Sequence, residues 1–243
     1  MNNQQTLEQL KQLQLLGMYH SYQHILSTPL HQHPEAHDLI AMLTDVELNN
    51  RRNKRTDRLI SRSKMRYRAT MTDIQCSKER NLTPQQIQLL GQGIYITNKE
   101  NIIITGATGC GKTYLACALG QQACITGNSV MYLNLNKFLE QIKLCKLDGT
   151  YNKHIISLSK PKVLILDEFG IATLNHDSKL ALLELLEERY DKLPTIIVGQ
   201  IPVALWHEYI NEPTIADAIL DRITANAHRI ELQGKSLRIK KIN

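Results

Sequence analysis

Residues 104–117 read ITGATGCGKTYLAC. Within them Gly106, Ala107, Thr108, Gly109, Cys110, Gly111, Lys112 and Thr113 satisfy G-x-x-x-x-G-K-[ST] at every fixed position. The β-branched run before the motif (NIIIT, 101–105) predicts a strand, and the residues from Lys112 to about Thr126 predict a helix. Glycines let successive backbone N–H groups converge on a phosphate, and the positive N-terminal end of the helix adds to that attraction. These eight residues, with Tyr114 after them, are the candidate nucleotide-binding set, and ATP is the expected ligand. Lys112 is expected to bridge β- and γ-phosphate oxygens, and the Thr113 hydroxyl to hold Mg²⁺.

A phosphate loop alone does not imply hydrolysis. The second signal is VLIL (163–166) followed by Asp167 and Glu168. Four apolar residues in a row predict a strand buried on both faces. Two adjacent carboxylates at its carboxyl end suit a metal ligand, Asp167, and a general base for water, Glu168. One predicted strand, SVMYLNL (129–135), lies between this strand and the loop strand in sequence. That arrangement fits P-loop ATPases whose acidic pair sits on the third strand.

Outward from these motifs, strands alternate with helices. A helix over 136–147 precedes a polar linker, a helix over 178–190 leads to the strand TIIVGQ (195–200), and AHRIEL (227–232) is the last strand. The fold class is therefore α/β with a parallel sheet. The N-terminal part is helical: Leu7, Leu10 and Leu13 continue to Leu16, Gly17 interrupts, and STPLHQHPEAH (27–37) is a loop. A long helix then begins near Glu35, with Leu39, Leu43 and Val46 facing a core. The domain boundary is expected near YRATMTDI, giving 1–70 as a small basic helical domain and 71–243 as the ATPase domain.

Charge is concentrated. Residues 51–68 hold nine Lys/Arg against one Asp, a local +8 in a chain whose net charge is +6. Arg51, Arg52, Lys54, Arg55, Arg58, Arg62, Lys64, Arg66 and Arg68 are the candidate DNA-binding residues. Neutralising several phosphates gives strong, salt-sensitive binding, and the stretch lacks a base-reading module, so DNA binding with little sequence specificity is expected. Lys143, Lys146 and Lys153 are read as a solvated face. No run approaches ~18 apolar residues, so no membrane span is expected. The polar N-terminus carries no secretory signal, and five cysteines without a framework suggest reduced thiols in a cytosol. Five of nine histidines cluster between His20 and His37 without the tighter ligand pattern of a zinc site.

Taken together, LGM (16–18), the basic segment, ITGATGCGKTYLA, LILDEFG, IIVGQIPVALWHE, EPTIADAILDRI and HRIELQGKSLR resemble the IstB-type transposition helper ATPases, in the AAA+ clade shared with DnaC-type helicase loaders. The resemblance covers nearly the whole chain. It implies a three-layer AAA+ core without a full helical lid, since only 21 residues follow Arg222. It also implies roles for Gln200 as polar sensor (with Gly199 where Ser or Thr is common), for Arg222 as an arginine finger reaching a neighbouring subunit, and for Arg238 as second sensor. The implied activity is ATP hydrolysis that drives a ring or helical homo-oligomer on duplex DNA and assists a transposase in the cytoplasm. A helicase loader, and a nucleotide-switched DNA-binding protein with little hydrolysis, are the alternatives.

Overall fold

The structure is a computed structural model and describes residues 2–237. It divides into two compact units, residues 1–58 and 59 onward.

The first unit holds α1 (Asn3–Gln12), α2 (Leu16–Leu26) and most of α3 (Ala36–Ser63). The break between α1 and α2 falls at Gln14, whose φ is +57°, and not at Gly17, which lies in the first turn of α2. Gly17 serves close approach instead: a Cβ there would lie 2.8 Å from the Glu47 Cα and 2.9 Å from the Val46 carbonyl oxygen. The expected apolar stripe on α3 is also corrected. Val46 is exposed, and the buried position is the carboxylate Glu47. Its Oε2 accepts from Gly17 N (2.7 Å) and Met18 N (3.3 Å), and its Oε1 accepts from Arg51 Nε (2.8 Å). Glu47 thus caps the N-terminus of α2, where the helix dipole favours a negative charge. Burial raises its proton affinity, but the Arg51 bond and the two backbone N–H groups outweigh that and hold its pKa below the usual value.

The second unit runs from α4 (Pro84–Gly91) and α5 (Ile94–Thr97) into alternating strands and helices. These are β1 (Asn101–Gly106), α6 (Lys112–Ile125), β2 (Val130–Asn134), α7 (Leu135–Leu147), α8 (Tyr151–Ser159), β3 (Val163–Phe169), α9 (His176–Arg189), β4 (Thr195–Gly199), α10 (Trp206–Ile210), α11 (Pro213–Thr224) and β5 (Ala227–Leu232). All strand pairs are parallel, in the order β2-β3-β4-β1-β5. The loop strand β1 and the acidic strand β3 therefore flank β4.

Both faces of the sheet are covered, which is why its strands read as unbroken apolar runs. Ile102, Ile104, Ile165, Ile196 and Val198 pack under α6 with Leu115 and Leu119. Ile103, Leu164, Leu166 and Ile197 alternate to the other face, against Phe138, Leu182, Trp206 and Ile219. The result is the expected three-layer α/β sandwich, and among the described residues no helix follows β5.

Two segments depart from the sequence reading. The polar linker contains α8, whose Ile155 and Leu158 are buried three residues apart while its polar face hides the pattern. The division between units at Arg58/Leu59 lies upstream of the expected 70/71 boundary, because Leu59, Ile60, Met65, Met71 and Ile74 pack on the α6 side of the sheet.

Candidate functional site

Cleft residues converge at the carboxyl ends of β1, β3 and β4, where ligands bind in open parallel sheets. Gly106 ends β1 with φ +143°, and a Cβ there would lie 2.1 Å from the Leu232 carbonyl oxygen, so only glycine lets the loop leave against β5. Gly111 is the residue before α6, and the loop wraps its N-terminal end. Lys112 Nζ curls back onto the loop, donating to the carbonyls of Gly106 (2.7 Å) and Ala107 (2.8 Å). A phosphate chain offers that ammonium a stronger, charged acceptor.

Opposite the loop, the ladder between β3 and β4 pairs Leu166 with Ile197 and then Phe169 with Gly199. Asp167 and Glu168 thus face one residue of β4, a bulge that turns both carboxylates out of the ladder. Glu168 takes φ +66°, a left-handed conformation that costs a non-glycine residue about 1–2 kcal/mol. Asp167 is 2% exposed. Its Oδ2 accepts from Thr113 Oγ1 (2.9 Å) and Tyr132 Oη (2.6 Å), and its Oδ1 from the Glu168 N–H (2.8 Å). Burial, and then the Asp167 carboxylate, push the Tyr132 phenol well above its ordinary range, so it stays a donor. Thr113 and Asp167 form an all-oxygen donor pair at the mouth of the loop, which suits a small hard cation such as Mg²⁺.

Glu168 Oε1 accepts from Arg66 Nη1 at 3.1 Å, and Oε2 lies 3.5 Å from Asn136 Nδ2. Gln200, just past β4, accepts from Thr108 Oγ1 at 2.9 Å, bringing the expected sensor onto the phosphate loop. The absence of a side chain at Gly199 has a steric cause: a Cβ would come within 3.0 Å of the Phe169 carbonyl oxygen.

The surrounding cleft, about 380 Å³, is lined by Thr108, Gly109, Gly111, Lys112, Thr113, Tyr114, Asp167, Glu168 and Gln200. It is also lined by Arg66, Tyr67, Ile74, Gln75, Arg80 and Leu237, none of which the motifs assign to nucleotide. Cys110 is buried beneath the loop instead of facing the cleft. Arg80 fastens that loop, donating from Nη2 to the Cys110 carbonyl (2.9 Å) and from Nη1 to the Gln75 carbonyl. It carries no motif, and only its basic character in an otherwise unassigned segment could have drawn attention. The Leu237 N–H donates to the Gly109 carbonyl oxygen (2.9 Å), so the chain after β5 crosses the loop. Arg238 follows it and lies outside the described residues.

Arg222 is elsewhere. Its main-chain carbonyl accepts from the Asn101 side chain at the start of β1, the end of the sheet opposite the phosphate loop. Its guanidinium pairs with Glu187, donates to the Ala218 carbonyl (2.8 Å) and sits 5.8 Å from the Tyr190 ring centroid. Strand β1 runs from Asn101 to Gly106, where the loop begins, and that length of about 16 Å is too far for Arg222 to reach the nucleotide of its own chain.

The nine basic residues of 51–68 are all exposed, but they do not form one helix. The helix α3 ends at Ser63, and Lys64 has φ +54°, so Lys64, Arg66 and Arg68 lie beyond it. Arg51, Arg55, Arg58 and Arg62 are spaced i, i+4, i+7 and i+11 and share one helix face. Arg51 also pairs with Glu47, and Arg66 with Glu168. Lys146 is paired with Asp177. No helix among the described residues is long and apolar enough to cross a membrane.

Comparison with known proteins follows the same lines. The family model described as IstB-like ATP binding protein matches residues 8–243. Two insertion-sequence ATP-binding proteins of Sinorhizobium fredii are 36% and 37% identical over 233 residues, 96% of this chain and 95% and 94% of theirs. An ATP-binding protein of a Pseudomonas fluorescens insertion sequence is 36% identical over 203 residues, covering 83% of this chain and 88% of its own. Among solved structures, DnaI aligns with a TM-score of 0.59 at 19% identity, over 73% of this chain and 94% of that one. The DnaC helicase loader aligns with a TM-score of 0.57 at 15% identity, over 69% and 98%. At that identity the two structures speak to the fold alone.

Proposed function

We propose that this chain, which belongs to the family of IstB-like ATP-binding proteins, hydrolyses ATP within a homo-oligomer on duplex DNA and thereby assists a transposase in choosing its target. The observation that carries the hydrolytic part is the bulge at Asp167–Glu168, which sets one carboxylate on the Thr113 hydroxyl and turns the next into the same cleft.

In this reading the loop N–H groups and Lys112 bind the β- and γ-phosphates. Thr113 and Asp167 would hold Mg²⁺, which screens the oxygens between which charge shifts. Glu168 takes a proton from a water as that water's oxygen bonds to the γ-phosphorus and the bond to the β-phosphate oxygen breaks, releasing ADP and phosphate. Gln200 orients the water or the γ-phosphate. Arg222, released from Glu187, completes the site of a neighbouring subunit, so turnover depends on assembly. The arginine stripe of α3 supplies phosphate contacts to DNA, and the protein acts in the cytosol.

Two measurements test this. Phosphate release is followed for the wild type and Glu168→Gln with and without duplex DNA; equal rates for the two proteins would refute the hydrolytic role. Fluorescence anisotropy with duplex and single-stranded DNA, alongside particle mass and a non-hydrolysable ATP analogue, tests the assembly. Preference for single strands by small species would replace this reading with that of a helicase loader.

A further inference from the structure

The pairing of Arg66 with Glu168 joins two separate parts of the sequence, the basic segment and the hydrolytic carboxylate. Arg66 lies three residues beyond the end of α3, between the exposed Lys64 and Arg68. Its guanidinium nevertheless lines the nucleotide cleft, with Nη1 3.1 Å from Glu168 Oε1. The Tyr67 ring centroid is 5.6 Å from its Cζ, and the Tyr132 hydroxyl, which bonds Asp167, is also its neighbour. With Asn136 near Oε2, both oxygens of Glu168 have a donor beside them.

We propose that Arg66 is a phosphate-released latch on Glu168. While the guanidinium occupies Oε1, that oxygen is not free to take a proton from water. A phosphate oxygen offers the guanidinium a bidentate, charge-assisted alternative, and pairing with it frees the carboxylate. The contact suits this task because it is partly exposed, with 44% of the Arg66 and 28% of the Glu168 side chain open to solvent. Ion pairs of that kind are weak enough for a competing anion to displace. The competing phosphate is that of the DNA backbone, since Lys64 and Arg68 flank Arg66 in the basic run and every complex that turns over already holds a γ-phosphate. Arg66 is thus a positioning residue that acts through Glu168, and the inference rests on Glu168 being the general base.

The test uses the full chain with Arg66→Ala and Arg66→Lys beside Glu168→Gln. Phosphate release is measured at saturating ATP, with and without saturating duplex DNA, and affinities for ADP and a non-hydrolysable ATP analogue are measured without turnover. In Arg66→Ala the DNA-free rate should rise about three- to fivefold, the factor an exposed ion pair can impose. The DNA-stimulated rate should stay near that of the wild type, so the stimulation ratio collapses. Arg66→Lys, which keeps the charge but not the fork, should fall between. Affinities for both nucleotides should stay at their wild-type values; an analogue affinity that drops while ADP affinity holds would show that Arg66 pairs with the γ-phosphate in every turnover complex, and would overturn the latch. A DNA-free rate in Arg66→Ala that equals or falls below the wild-type rate overturns the latch. Glu168→Gln turning over like the wild type would instead refute the general-base assignment, whatever Arg66 does.

Discussion

Replacing Gly17 with alanine probes how the basic helix is anchored within its own unit. The added Cβ would sit 2.8 Å from the Glu47 Cα and 2.9 Å from both the Val46 carbonyl oxygen and Glu47 Oε2, where ordinary contact begins at 3.4 Å. Two of those atoms are backbone, so no rotamer change relieves the clash, and α2 must retreat from α3 by roughly 0.6 Å or more, by the spacing a close-packed interior requires. That retreat lengthens the Gly17 N–H bond from 2.7 Å and carries the Met18 N–H, already at 3.3 Å, out of range. Overpacking costs about 1–3 kcal/mol, and a lost bond to a buried carboxylate costs about 1.5–3 kcal/mol. Because retreat relieves one as it incurs the other, the net loss is about 2–3 kcal/mol, or roughly 30- to 150-fold in the opening equilibrium. Hydrogen exchange by mass spectrometry on the full chain resolves the segment. Peptides covering Leu16–Leu26 and the Glu47 turn of α3 should exchange faster by that factor. Nucleotide affinity is the control, since every cleft residue lies from Arg66 onward. In a Glu47→Ala background the same substitution should cost less than its additive share. Wild-type exchange in both peptides of Gly17→Ala would refute the close-contact account.

Three other perturbations follow from the geometry. Arg189, 1% exposed, donates to the carbonyls of Ser159, Pro161 and Pro194 and to the Thr195 hydroxyl, so Arg189→Met strands these acceptors. The second unit should lose about 3–5 kcal/mol and its thermal midpoint should fall by roughly 10 °C in calorimetry. The lowered pKa of Glu47 means that its stabilisation is fully present above its ordinary value of 4.5 and is lost as pH falls through the depressed folded-state value. Exchange protection of α2, corrected for intrinsic rates, should therefore drop on acidification below that range in the wild type and be flatter in Glu47→Gln. Neutralising Arg55, Arg58 and Arg62 together should reduce the slope of log affinity for duplex DNA against log salt by roughly 0.9 for each phosphate no longer neutralised; an unchanged slope would remove this face from the DNA interface.

Much of the second unit is legible because its signals are local and redundant. The loop motif, the apolar run ending in two carboxylates and the strand–helix alternation each point to the same layered sheet, and burial on both faces erases the polar positions that would blur a strand. The site is less legible wherever a residue works through the backbone or across the chain. Arg80 holds the phosphate loop by main-chain carbonyls, which leave no mark in the sequence. Arg66 looks like one more charge in a basic run, and only the path of the chain after Ser63 brings it to Glu168. The first unit misleads for a physical reason: a buried carboxylate occupies a position where helical periodicity leads one to expect a hydrophobe. The segment after Leu147 reads as a linker because α8 buries only two of its apolar residues and its polar face dominates the composition.

The left-handed backbone at Glu168 bears on how this protein behaves under artificial selection. Glycine adopts that conformation freely, so Glu168→Gly relieves about 1 kcal/mol of conformational cost even as it deletes the carboxylate. A library sorted only for heat resistance or soluble yield would therefore tend to enrich a change that removes the proposed general base. On the proposed reading, stability and hydrolysis pull in opposite directions at one residue, and any engineering campaign on this scaffold needs an activity gate at that position.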